Sequence, residues 1–287
     1  MALTIVGQIR QALRNLNPAD VRKQADRPIH VGLVAPSAHA LGSMETFLVP
    51  PHLSPERRAE SARVLVRGGD SKQCDIQLVE SSLLVPRGAF PFDLDAPEET
   101  VRRVIKAHED LRLPLARHLE PFRKPVSHQI IGEIAKENAM FCLATALPDI
   151  IPSLISLPWA VGEYSSDAAF LTVNQVRMAF LLAAANDHPI GYRDQKTQIA
   201  SIAGSSFGWR ALARELVGKI PLGGGLIPKA AIAWAGTYAV GLSLERLYRL
   251  GYGFTREERR GVYEDAFKHG KEIAGALLAD LRGRKTA

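Results

Sequence analysis

Cysteine is nearly absent from this chain. Of its 287 residues only Cys74 and Cys142 carry a thiol, and neither belongs to a Cys-x-x-Cys pair. A thiolate zinc site needs clustered ligands, so none is indicated, and two free buried thiols fit a reducing cytoplasm. The eight histidines are scattered, with no His-Glu-x-x-His spacing, so no metal-binding pattern emerges and no cofactor is expected. Charge of one sign is lacking too. The formal net charge of +6 divides evenly: residues 1–125 hold 18 Lys/Arg and 15 Asp/Glu, and residues 126–287 hold the same numbers. Neither half is a basic arm, so nucleic acid has no electrostatic footprint here.

Long apolar runs are missing from the second half. Its uncharged stretches at 150–162, 197–209 and 230–244 are 13, 13 and 15 residues long, below the roughly 18 to 20 that a spanning helix requires. The stretch 220–244 reaches 25 residues if Lys229 is tolerated. Pro221, Pro228 and Gly223–Gly225 bend it, however, so it fits a half-embedded hairpin or an ordinary packed helix. A secretory signal is not expected, because Arg10 and Arg14 fall where its apolar core would lie. Val6, Ile9, Leu13 and Leu16 instead recur at helical spacing. They predict a short amphipathic helix, docked on its own domain or lying on a membrane.

What is present reads as two parts, an α+β chain. Asn17-Pro18 starts a helix, with Asn at the cap and Pro at the first position. Residues 29–35 read as a buried strand stopped by Pro36. Ser54-Pro55 opens a helix through about Arg67, ended by Gly68-Gly69-Asp70. Residues 74–79 form a second strand, and Leu83-Leu84-Val85 a third strand or a loop. Asp95 and Glu98 have capping-box spacing ahead of a helix over 98–108. From there to the end nearly everything is helical. The boundary is placed near Arg123-Lys124-Pro125. Residues 1–125 form a small α/β domain and 126–287 an all-helical domain. Thr255 and Glu258 cap a last helix, whose Tyr263, Ala266, Phe267, Ile273, Ala274, Leu277 and Leu281 make one apolar stripe.

Four constellations are candidates for chemistry. Glu163, Asp167, Asn174 and Arg177 fall within about 80 degrees on a helical wheel. With Gln175 they form a register-fixing network or a polar groove for a small ligand. Trp209 and Arg210 lie beside an apolar helix, as an interfacial pair at lipid headgroups or as a core Trp with a wet Arg. Gly223–Gly225 precede a helix and could meet a phosphate or simply turn the chain. Finally, the strand at 29–35 leads into Ser37, Gly42 and Ser43. That placement is P-loop-like but degenerate: Ser37 stands where the first glycine belongs and the lysine is missing.

Five segments carry a family resemblance. They are Ala-Leu-Pro (146–148), Thr-x-x-Gln-x-Arg-Met (172–178), Phe-Gly-x-Arg-Ala-Leu-Ala-Arg (207–214), Lys-Ile-Pro-x-Gly-Gly (219–224) and Ala-Gly-Thr-Tyr-Ala-Val-Gly (235–241). Over about 110 residues, 139–250, the chain resembles a YcjF-type bacterial helical domain of unknown function. In that family the domain often follows a small GTPase domain and is thought membrane-associated. The resemblance implies a cytoplasmic protein at the inner membrane and a GTPase as partner. Here the first half would occupy the GTPase position without its phosphate lysine or an Asn-Lys-x-Asp guanine motif. The expectation is therefore a non-enzymatic scaffold. Its α/β part binds a protein partner, and its helical part attaches to a membrane or oligomerises. The alternatives are a degenerate nucleotide binder using 29–43, and a small-ligand or lipid carrier lined by Asn174, Gln175 and Arg177.

Overall fold

The computed structural model describes residues 13, 16–68, 73–146, 167–202 and 225–283. The fold is mixed α and β with a helical majority and one small four-stranded parallel sheet. The chain divides into two compact units. One comprises Ala19–His128 and Ala183–Pro189; the other comprises Met1–Pro18, Gln129–Leu182 and Ile190–Ala287.

The α/β unit begins in α1 (Pro18–Ala25), as Asn17-Pro18 predicts, followed by β1 (Val31–Val34). Val31, Gly32 and Leu33 are all buried, because β1 is central in a parallel sheet and is covered on both faces. Ser37 caps α2 (Ala38–Leu48), and Ser54 caps α3 (Pro55–Ala62) with Pro at its first position. The predicted continuation of α3 to Arg67 fails. Leu65–Arg67 is instead strand β2, paired in parallel with β1 through Val31 and Leu65. Pairing with a strand more than 30 residues earlier overrides a locally helical reading.

The next strand, β3 (Ile76–Glu80), pairs with the other side of β1, and β4 (Phe90–Phe92) pairs with β3. The sheet order is β2-β1-β3-β4. Sequence reading missed β4 because Pro91 lies inside it; proline is tolerated there because β4 is an edge strand. Leu83–Val85 is a loop, with Leu84 96% exposed. Helix α4 (Pro97–Ala107) buries Thr100, Val101, Val104 and Ile105 along one stripe. Its expected capping box does not form. Ala96 is the N-cap without a side-chain bond, and the Asp95 amide donates to Asp93 Oδ1 at 2.9 Å. A 3-10 turn (Glu109–Leu111) and α5 (Arg112–His118) follow.

Helix α6 (Glu120–Ala146) is continuous. Pro125, near which the sequence places the domain boundary, sits inside its second turn, near enough to the start that only one early backbone bond is forfeited, and the two units divide close by, between His128 and Gln129. Helix α7 (Asp167–Ala185) is apolar nearly all round and buried on almost every side, the signature of a central helix. Residues 196–202 are helical as well. They precede α8 (Leu226–Leu250) and α9 (Arg256–Gly283).

The helical unit is built on close approach. Ala135, Ala139 and Leu143 of α6 pack with Ala230, Ala231, Trp234, Ala235 and Ala239 of α8. From α9, Tyr263, Ala266, Phe267, Ala274 and Leu277 complete the cluster; all five belong to the predicted stripe, whose Ile273 packs against the cluster half-buried, while the Leu281 side chain lies outside what is described. Each large side chain so buried contributes roughly 1.5 to 3 kcal/mol. A Cβ on Gly270 would lie 2.9 Å from the Ala231 carbonyl oxygen, so only glycine lets α9 seat against α8 there. The capping box opening α9 forms as expected: the Thr255 amide donates to Glu258 Oε2 at 2.8 Å and the Glu258 amide to Thr255 Oγ1 at 3.2 Å. Of the predicted N-terminal helix only Leu13 and Leu16 are described; the Tyr192 hydroxyl reaches the Leu16 carbonyl at 2.7 Å. Among the described residues no helix is long and apolar enough to cross a membrane.

Candidate functional site

Asn174, Gln175 and Arg177 are the main polar side chains of α7, and the structure brings all three into one network. Being in a helix packed on most sides, they must find partners within the protein. Asn174 Nδ2 donates to Asn138 Oδ1 at 2.9 Å and to Glu137 Oε2 at 3.0 Å. Arg177 Nη1 donates to the same Glu137 oxygen at 2.9 Å and to Asn174 Oδ1 at 3.2 Å. Asn138 Nδ2 donates to Thr237 Oγ1 at 2.7 Å, and Gln175 Nε2 reaches that hydroxyl at 3.3 Å. Each of the six side chains bonds another member of the set. Asn138 and Thr237 are fully buried, while Glu137 and Arg177 lie at the half-buried margin.

Of the other residues grouped with them, Asp167 opens α7, far along the helix from Asn174. Glu163 lies outside the described residues, and so do Arg210, Trp209, Gly223 and Gly224. Gly225 is the N-cap of α8, with no side-chain cap bond.

Sequence reading missed Glu137, Asn138 and Thr237. Their signal was present as polar residues interrupting the small apolar runs of α6 and α8, but only three-dimensional pairing joins them to α7. Two of the five resembling segments, 172–178 and 235–241, meet directly. Gln175 bonds Thr237, and a Cβ on Gly241 would come 3.0 Å from Met178 Sδ and 2.7 Å from the Ile131 side chain. The spacing of these motifs is therefore that of a helix crossing. Glycine gives the clearance, and Thr, Gln and Asn fix the register.

The second candidate is the β1–α2 turn. Ser37 Oγ accepts from the Ala40 amide at 3.1 Å, acting as an N-cap. Ser43 donates to the His39 carbonyl at 3.1 Å and Thr46 to the Gly42 carbonyl at 2.8 Å. Ala38, His39, Gly42, Ser43, Thr46 and Phe47 line an open groove of about 610 Å³ along α2. Added atoms at Gly42 would meet nothing within 4 Å. Gly42 and Ser43 thus line the groove while Ser37 does not, and Ser37 and Ser43 already bond within the helix.

Residues 204–208, Gly-Ser-Ser-Phe-Gly, have the Gly-x-Ser-x-Gly spacing of a nucleophile elbow. An elbow needs a strand ahead of it. Here the preceding residues 196–202 are helical, and Ser206 itself lies outside the described residues. Among the described residues no group of three or more His, Cys, Asp or Glu could hold a metal ion.

His118, at the end of α5, is pushed below the ordinary histidine range, mainly by burial and next by the Arg117 charge. Burial alone raises the Tyr263 hydroxyl to about 12 and lifts Tyr248 as well. These shifts report packing, since neither tyrosine lies in the polar network. Compared with known proteins, the chain matches no family model, no curated protein and no solved structure.

Proposed function

We propose that this protein acts by binding rather than by catalysis. In this reading the α/β unit engages a protein partner, with a GTPase as the class the family resemblance suggests. The helical unit is a rigid module that rests at the inner face of a membrane or self-associates. The observation that carries the reading is the polar network. Asn138, Asn174, Gln175 and Thr237 bond one another, so the segments 172–178 and 235–241 specify a helix crossing rather than a reaction centre. The open α2 face, with its small side chains, suits a partner's surface better than a tightly held small molecule.

The test is affinity capture with the full-length chain and with Gly42→Arg, which adds bulk where α2 is open. Fractionation of cells with a carbonate wash of the membrane pellet accompanies it. The reading expects a reproducible partner lost in Gly42→Arg and a protein released from membranes by the wash. Unchanged capture by Gly42→Arg removes the α2 face from the proposal. Resistance to the wash points instead to inserted helices.

A second reading, a degenerate nucleotide-binding protein, is favoured by one feature. The chain leaves β1 for β2 on one side and returns to β3 on the other. The α2 groove therefore follows the strand at the sheet's switch point, where open α/β sheets bind ligands. Micromolar GTP or ATP binding abolished by Gly42→Asp would establish it in place of the first.

A further inference from the structure

We infer that Arg57, Arg117 and Arg123 form an oxyanion site for a small phosphate-bearing ligand, held shut by the carboxylate of Asp187. The three arginines come from α3, α5 and α6, and Asp187 follows the end of α7; all four belong to the α/β unit. Arg57 Nη1 bonds Asp187 Oδ2, and its Nη2 donates to the Asp187 carbonyl at 3.2 Å. Arg117 Nε lies 3.8 Å from Asp187 Oδ1, and Arg123 Nη2 lies 3.9 Å from Oδ2. One carboxylate therefore faces three guanidiniums, the donor set that recognises phosphate.

The internal occupant fits the site poorly. Only Arg57 bonds Asp187 at hydrogen-bond distance; the other two stand off by nearly 4 Å. Arg117 Nη1 is buried with no hydrogen-bond partner in the structure. Its Nε turns partly to Asp26, at 3.2 Å, a carboxylate that is itself 55% exposed. Arg123 spends two nitrogens on the Ala116 and Arg117 carbonyls, which fixes its guanidinium in place. The nearby Glu120 hydrogen-bonds His52 through Oε1 at 3.1 Å, while its Oε2 is buried without a hydrogen-bond partner. A phosphate, larger than a carboxylate and doubly charged near neutral pH, would span the gap that Asp187 leaves.

Asp187 is the left-handed residue that ends α7, with a φ of 56°, and the Asp187 and His188 amides donate to the Ala184 and Ala183 carbonyls at 3.1 and 2.8 Å, so the carboxylate is held over the arginines by a helix C-cap. Arg57, 38% exposed, gives the site its opening to solvent.

The test titrates the full-length chain with inorganic phosphate by calorimetry at about pH 7.5, where phosphate is mostly a dianion. Thermal melts in phosphate and in sodium chloride of matched ionic strength accompany it. Asp187→Gly removes the carboxylate and keeps the left-handed backbone; Asp187→Asn serves if the glycine variant does not fold. Saturable phosphate binding is expected, about ten-fold tighter in the Asp187 variant than in the wild type. Phosphate should raise that variant's Tm where chloride does not. Adding Arg57→Gln should weaken the binding about ten-fold. Absence of saturable binding in the Asp187 variant, or a Tm shift that chloride reproduces, overturns the site and leaves an internal ion-pair cluster.

Discussion

Asn138 Nδ2 donates to Thr237 Oγ1 at 2.7 Å, joining α6 to α8 across 99 residues of chain where both side chains are fully buried. The same hydroxyl oxygen also receives Gln175 from α7. Three helices therefore share one acceptor, and its removal leaves buried donors without a partner.

Thr237→Val keeps the shape and deletes the acceptor. It should destabilise the protein by about 1 to 3 kcal/mol, the penalty of an orphaned buried donor. Urea unfolding, read as a lowered midpoint at constant slope, measures it. A change within about 0.5 kcal/mol, ordinary for a surface site, would show that the hydroxyl does not hold the crossing together.

Two glycines make opposite predictions. At Gly241 an added Cβ meets Ile131 at 2.7 Å, so Gly241→Ala should cost about 1 to 3 kcal/mol through overpacking. At Gly132, inside α6, an added Cβ meets nothing within 4 Å. Gly132→Ala should therefore stabilise by up to about 1 kcal/mol through helix propensity. Paired thermal melts decide this, and a shift of the same sign in both would refute the account of close approach.

The start of α9 depends on its reciprocal cap. Thr255→Ala removes the hydroxyl that accepts from the Glu258 amide, and should cost about 1 kcal/mol. Glu258 also pairs with Arg246 at 2.9 Å. Glu258→Gln keeps an acceptor for the cap but deletes this exposed pair, so it should lower the salt dependence of stability, with the difference from the wild type shrinking at high salt. Denaturation at low and high salt separates the two contributions.

The depressed His118 sets a pH dependence. Its folded form resists protonation while the unfolded chain takes up a proton near the ordinary value of 6.5. Its contribution is thus complete above about pH 6.5 and is lost as pH falls through the lower folded value. Tm should decline below pH 6.5, and His118→Gln should flatten that part of the profile. An unchanged slope in the variant would assign the acid loss to other groups.

Local chemistry made much of the chain legible. Pro18 after Asn17, the Ser54-Pro55 start, the Thr255–Glu258 cap and the stripe along α9 are each written in a few neighbouring residues, and each forms as that spacing predicts. The same local view failed at Leu65–Arg67 and at Phe90–Phe92. There the decisive partner is another strand, β1 for the first and β3 for the second.

Residue order alone is enough to put a small α/β region ahead of a helical one, to show that no strong nucleotide or metal motif is spelled out, and to show that Asn174, Gln175 and Arg177 carry polarity into an apolar helix. What meets that polarity is set by packing in three dimensions. Asn138 and Thr237 lie 36 residues before and 63 after Asn174, and no periodicity links them. Arg57 and Asp187 are likewise separated by 130 residues. A buried polar or charged group must be paired, but the helices that carry its partner are placed by packing, which sums small contacts over the whole unit and leaves no local trace.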